Sequence, residues 1–236
     1  MKGIILLLTC LFSAIGIYAQ DLNGAWERNH TSENGEKLKS VVIISDGYQV
    51  ISTYNSNTGE FVSTNGGSLS LADNVVKEKV EFDSKHPERV GTEVSFKVSL
   101  KDSLMGITGT DIEYIKLDNG APGKLQGAWL MSGRIKDGES QTRDTSGPRK
   151  TMKILSGTRF QWIAYNTETK QFMGTGGGTY TTSNGEYTET IEFFSKDNSK
   201  VGNSLIFNYS LEDGNWLHSG LSSKGDPINE IWSARE

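Results

Sequence analysis

Along most of the chain, apolar and polar residues alternate in short segments bounded by Gly, Asn, Asp and Ser, and no 3.6-residue apolar period is sustained. The pattern predicts antiparallel β structure. In the second half the expected strands run over residues 126–131, 151–155, 158–165, 178–182, 186–194, 204–212, 215–221 and 228–235, and the first half supplies a counterpart for each. Short connections such as Ser156-Gly157, Asn184-Gly185 and Asp213-Gly214 suit hairpin turns, which need positive φ. Eight strands in sequence suit a meander. With one apolar face, a meander removes its edges by closing into an up-and-down barrel, which at eight strands has room for one small ligand. A sandwich is the alternative.

The chain also repeats itself. Leu22-Asn23-Gly24-Ala25-Trp26 recurs as Leu125-Gln126-Gly127-Ala128-Trp129. Residues 54–109 align with 165–220 at a constant offset of 111, with 19 of 56 positions identical, far above chance. The tryptophans align at an offset of 103, so the second copy carries about eight extra residues, placed in Gly133 to Arg149, a charged segment read as a long surface loop. The organisation read from this is a signal peptide at 1–19, one module at 20–118, a linker at 119–124 and a second module at 125–236.

Gly24-Ala25-Trp26 and Gly127-Ala128-Trp129 resemble the Gly-x-Trp of the first strand in lipocalins and related calycins. The resemblance implies an all-β chain of two tandem eight-stranded antiparallel lipocalin-like β-barrels. It further implies a late basic residue packed over each tryptophan, Arg235 for Trp129 and Lys116 for Trp26. The second copy also resembles small lipocalin-like domains of uncharacterised secreted bacterial proteins. Phe160-Gln161-Trp162, Gly177-Gly178-Thr179-Tyr180, Tyr187 to Glu192, His218-Ser219-Gly220 and Glu230-Ile231-Trp232 carry the likeness. It implies a fold and a compartment but no activity.

Composition narrows the setting. Lys2, the apolar run from Gly3 to Ala14 and the short end at Tyr18-Ala19 read as a cleaved export signal, giving a periplasmic or secreted product. No apolar run reaches the roughly 18 to 20 residues that span a bilayer. Cys10 is the only cysteine, and the apolar residues that follow it argue against lipidation, so the mature chain relies on packing without disulfides. It carries 23 basic against 29 acidic side chains and no basic run, which makes nucleic acid a poor partner.

Candidate chemistry concentrates in the second copy. Trp162, Tyr180, Tyr187, Tyr209, Trp216 and His218 stand where the first copy has Ile51, Leu69, Val76, Val98, Met105 and Ile107. Rings with polar tips suit a pocket for a small molecule, whereas aliphatics suit an inert core. Alternation places Tyr187, Glu189, Ile191 and Phe193 on one face, so Glu189, and Glu78 in the same register, should lie inside. A carboxylate there needs a partner, solvent or a proton. The expected ligand-binding set is Phe160, Trp162, Tyr180, Tyr187, Glu189, Tyr209, Trp216 and His218, for a small, partly apolar ligand. Two alternatives stay open: exposed aromatics and the 133–149 loop binding a glycan or protein, or Glu189 and His218 acting as an acid/base pair. His30 and His86 sit in predicted loops, no histidine or cysteine cluster suits zinc, and no nucleotide or nucleophile motif occurs, so no cofactor is expected. Gly174 to Gly178 reads as a bend or bulge rather than a phosphate cradle.

Overall fold

The computed structural model describes residues 22–120 and 123–235. The segment read as an export signal, with Cys10, and residues 121–122 of the expected linker lie outside the described residues. The first copy contributes β1 (Gly24–Thr31), β2 (Lys37–Ser45), β3 (Tyr48–Asn55), β4 (Phe61–Ala72), β5 (Val75–Asp83), β6 (Glu93–Lys101), β7 (Leu104–Ile107) and β8 (Glu113–Asp118). Each strand pairs antiparallel with the next, and β8 returns to β1, closing barrel one. The second copy contributes β9 (Gly127–Lys136), β10 (Glu139–Thr142), β11 (Arg149–Leu155), β12 (Arg159–Asn166), β13 (Gln171–Ser183), β14 (Glu186–Phe194), β15 (Ser204–Glu212), β16 (Asn215–Leu221) and β17 (Pro227–Ala234). Pairing of β17 with β9 closes barrel two, and β10 hangs on the outside of β9. The chain is all-β, with two closed eight-stranded antiparallel barrels as expected.

The repeated motif closes one end of each barrel. The indole of Trp26 donates to the carbonyl of Leu22 at 2.9 Å and that of Trp129 to Leu125 at 3.0 Å, while both leucines are buried beneath. Gly24 and Gly127 adopt φ of 119° and 135°, and a Cβ on Gly24 would collide with the Asp118 carbonyl. Lys116 Nζ lies 4.9 Å from the Trp26 ring centre, as the resemblance implied. Arg235 does not cover Trp129. Just past β17 its guanidinium turns toward barrel one, where Glu81 accepts from it at 2.7 and 2.8 Å and the Tyr48 ring lies 4.1 Å away. A guanidinium this buried goes where acceptors satisfy it.

Three further expectations change. The 133–149 segment is not all loop, because β9 runs on to Lys136 and turns at Asp137-Gly138 into β10. His30 lies in β1 rather than a loop. The register shift opposite Gly177/Gly178, the bulge read from the glycines, reverses the alternation of β14 after Ile191, so Phe193 faces barrel one while Phe194 lines the interior of barrel two.

The barrels share a core. Val41, Val50, Tyr54 and Phe82 pack with Leu130, Ile154, Ile163, Tyr165 and Phe193 in one buried cluster. Its geometry is reciprocal. Tyr54 donates to Glu192 at 2.6 Å, and Tyr165, its equivalent, donates to Glu81 at 2.6 Å. Tyr54 stacks on Phe193 and Phe82 tilts against Tyr165, both with ring centres 4.9 Å apart, while Phe61 stacks on its own equivalent Phe172. An isologous interface has this form, here made between two halves of one chain.

Candidate functional site

Barrel two encloses a cavity of about 300 Å³, at the small end of ligand sites. Rings from several strands form its walls: Phe160 and Trp162 on β12, Phe194 on β14, Phe207 on β15 and Trp232 on β17. Charged and polar groups interrupt them. Lys153 on β11 reaches across to Glu189 on β14 at 2.8 Å, and Tyr187 donates to the same carboxylate oxygen at 2.8 Å. Both charged side chains are 6% exposed. Removing one partner of such a pair strands the other, with a loss of about 3 to 5 kcal/mol, whereas replacing both with apolar groups is often neutral.

Lys153 is also caged by rings. Its Nζ lies 5.0 Å from the Trp216 ring centre, 5.1 Å from Tyr187, 5.3 Å from Trp232 and 5.7 Å from Phe207, within the range of cation–π attraction. A second polar pair stands beside it. His218 Nδ1 lies 3.1 Å from Glu230 Oε2, which also accepts from the Trp232 indole at 3.1 Å. Burial works to raise the Glu230 pKa, but the His218 hydrogen bond and the Lys153 charge outweigh it and leave it lowered. Burial, with Lys153 adding, lowers the His218 pKa despite Glu230. A neutral imidazole beside an ionised carboxylate carries its proton on Nδ1, so Nε2 is left as an acceptor. Among the described residues Nε2 has no partner, and neither does the buried Trp216 indole N–H.

The structure brings Phe160, Trp162, Glu189 and His218 to the cavity wall. Tyr187 and Trp216 stand behind that wall, packed around Lys153. Tyr180 is buried away from the cavity wall and donates to the Ser156 carbonyl at 2.6 Å. Tyr209 is half-buried, paired across from His218 and packed against the same cluster. Sequence reasoning missed Lys153, Glu230 and Trp232. The available signal was that Thr151, Lys153 and Leu155 alternate with apolar Met152 and Ile154 in β11. The apolar face was the tempting interior, yet it packs against barrel one, and the face bearing Lys153 points inward.

None of the aromatic side chains among the described residues is exposed; the large exposed apolar groups are aliphatic, such as Ile115 and Ile206. No group of three or more potential metal ligands occurs among the described residues. Barrel one, expected to be an inert core, also holds a cavity of about 300 Å³.

Residues 124–235, which span barrel two, match the family model described as "Domain of unknown function (DUF4488)". No curated protein matches the chain.

Proposed function

We propose that the chain is an exported, lipocalin-like binding protein whose second barrel takes a small, partly apolar ligand bearing a hydroxyl or N–H group. The observation that carries this reading is the polar wall of the barrel-two cavity, where Lys153–Glu189 and His218–Glu230 are held among rings. Buried ionic groups add little stability over apolar packing of equal volume, so their concentration around a cavity favours recognition over core filling. Rings hold the ligand's flat apolar body, and His218 Nε2 accepts its hydrogen bond. The absence of exposed rings among the described residues supports an interior site over a surface that grips a polymer.

The test is a titration of the full chain with phenols, indoles and their counterparts lacking the O–H or N–H group. Tryptophan fluorescence reports binding, since Trp129, Trp162, Trp216 and Trp232 all lie in barrel two. Donor-bearing ligands should bind at least about tenfold tighter than their counterparts, and His218→Phe should erase the difference. A panel that leaves the fluorescence unchanged, or a preference that survives His218→Phe, overturns the reading. Export is checked by the mature N-terminus, expected at Gln20.

A further inference from the structure

The two barrels treat one carboxyl differently. Trp26 pairs with Val42 across β1 and β2 as Trp129 pairs with Lys153 across β9 and β11, so Val42 occupies the place of Lys153. Val76 likewise occupies the place of Tyr187. Barrel one therefore keeps Glu78, the equivalent of Glu189, without either group that satisfies it in barrel two. Glu78 is 3% exposed and lines the cavity, among Val42, Ile51, Leu69, Val76 and Met105. The Gln49 side chain hydrogen-bonds its carboxyl, while Oε1 has no partner among the described residues. Burial pushes its pKa up against the Gln49 bond and the Arg89 charge, with Asp83 adding to the rise. Arg89 also lines the cavity, but its guanidinium is committed to Asp83 at 2.8 Å.

We propose that barrel one is a second binding site, for a primary alkylammonium whose nitrogen pairs with Glu78 as Lys153 pairs with Glu189 and whose chain lies against the aliphatic wall. Barrel two shows the complex in covalent form, with a butylammonium arm entering from β11 and ending on the carboxylate. In barrel one that arm is truncated to Val42, and Val42 and the carboxyl both border the cavity. An ammonium must shed water to enter, and the buried carboxylate compensates it; a neutral alcohol fills the same apolar space without the charge pair. The site stands independently of any ligand in barrel two.

Isothermal titration of the full chain near neutral pH with n-hexylamine, n-hexanol and hexanoate tests this. The amine should bind at least roughly tenfold tighter than the alcohol, and hexanoate weakest. Glu78→Gln should reduce the amine to the level of the alcohol. Val42→Lys, which supplies the missing cation, should abolish amine binding while the far-ultraviolet spectrum stays that of the parent. In the unaltered chain, methyl resonances of Val42, Ile51 and Val76 should shift with the amine, a readout that needs no variant. Equal affinity for amine and alcohol, amine binding that survives Val42→Lys, or methyl shifts confined to barrel two would each overturn the proposal, as would no binding at all.

Discussion

At the residue scale, the cavity wall of barrel two is an arrangement of charges that satisfy one another under rings, and its pH response follows. His218 has a folded pKa below its ordinary 6.5, so the folded state resists a proton that the unfolded chain accepts. Its contribution is complete above about pH 6.5 and is lost as pH falls toward the lowered value. Glu78 has the opposite sign, because its raised pKa gives a contribution that is full at low pH and lost as pH rises. His30, also lowered by burial, has the same sign as His218. The His218 share is thus a difference: urea midpoints from about pH 7.5 to about pH 5 should fall more steeply for the natural chain than for His218→Gln. Parallel slopes would refute it. At this scale the sequence revealed Glu189 as an interior carboxyl but concealed its cation. Where both faces of β11 are buried, alternation no longer says which face is the inside.

At the scale of elements, the glycines of β4 and β13 set the shape of the walls. A Cβ on Gly178 would collide with the Thr190 carbonyl of β14, and one on Gly67 with the Lys79 carbonyl of β5. Those close approaches accompany the register shifts at both bulges. Gly178→Ala should therefore destabilise the chain by about 2 kcal/mol or more, since strand backbone must move. Gly185→Ala, in an open hairpin turn at φ 83°, should cost only about 1 kcal/mol, from backbone strain. Denaturant unfolding of both variants decides, and equal losses would count against the bulge as a fixed contact. A bend or bulge was legible in Gly174 to Gly178; its effect on the phase of β14 was not, because an unpaired residue leaves no mark in the alternation itself. The β9–β10 hairpin escaped for another reason. All four residues of β10 are exposed, so they carry no apolar period, and only Asp137-Gly138 announced the turn.

At the scale of the molecule, the shared cluster makes separate unfolding of the barrels unfavourable. Opening either one exposes Tyr54, Phe82, Tyr165 and Phe193 and breaks the tyrosine–glutamate bonds across the seam. Heat or denaturant should therefore unfold the chain in a single transition, with Trp26 and the barrel-two tryptophans reporting the same midpoint when each is observed alone. Two separated transitions would show the seam to be weak. The duplication was plain in the sequence, but its meaning was not. Tyr54, Phe61, Glu81 and Phe82 match their equivalents because both members of each pair meet at the seam, a reason invisible until the halves are placed together.

The reciprocal seam has an evolutionary consequence. In an assembly of identical subunits every substitution arrives in all copies at once, so a cation introduced in one interior appears in the other. Joining the halves in one chain removes that restriction: Lys153 and Val42 can differ while the contacts that hold the pair together stay matched. Fusion converts one repeated container into two that can specialise separately.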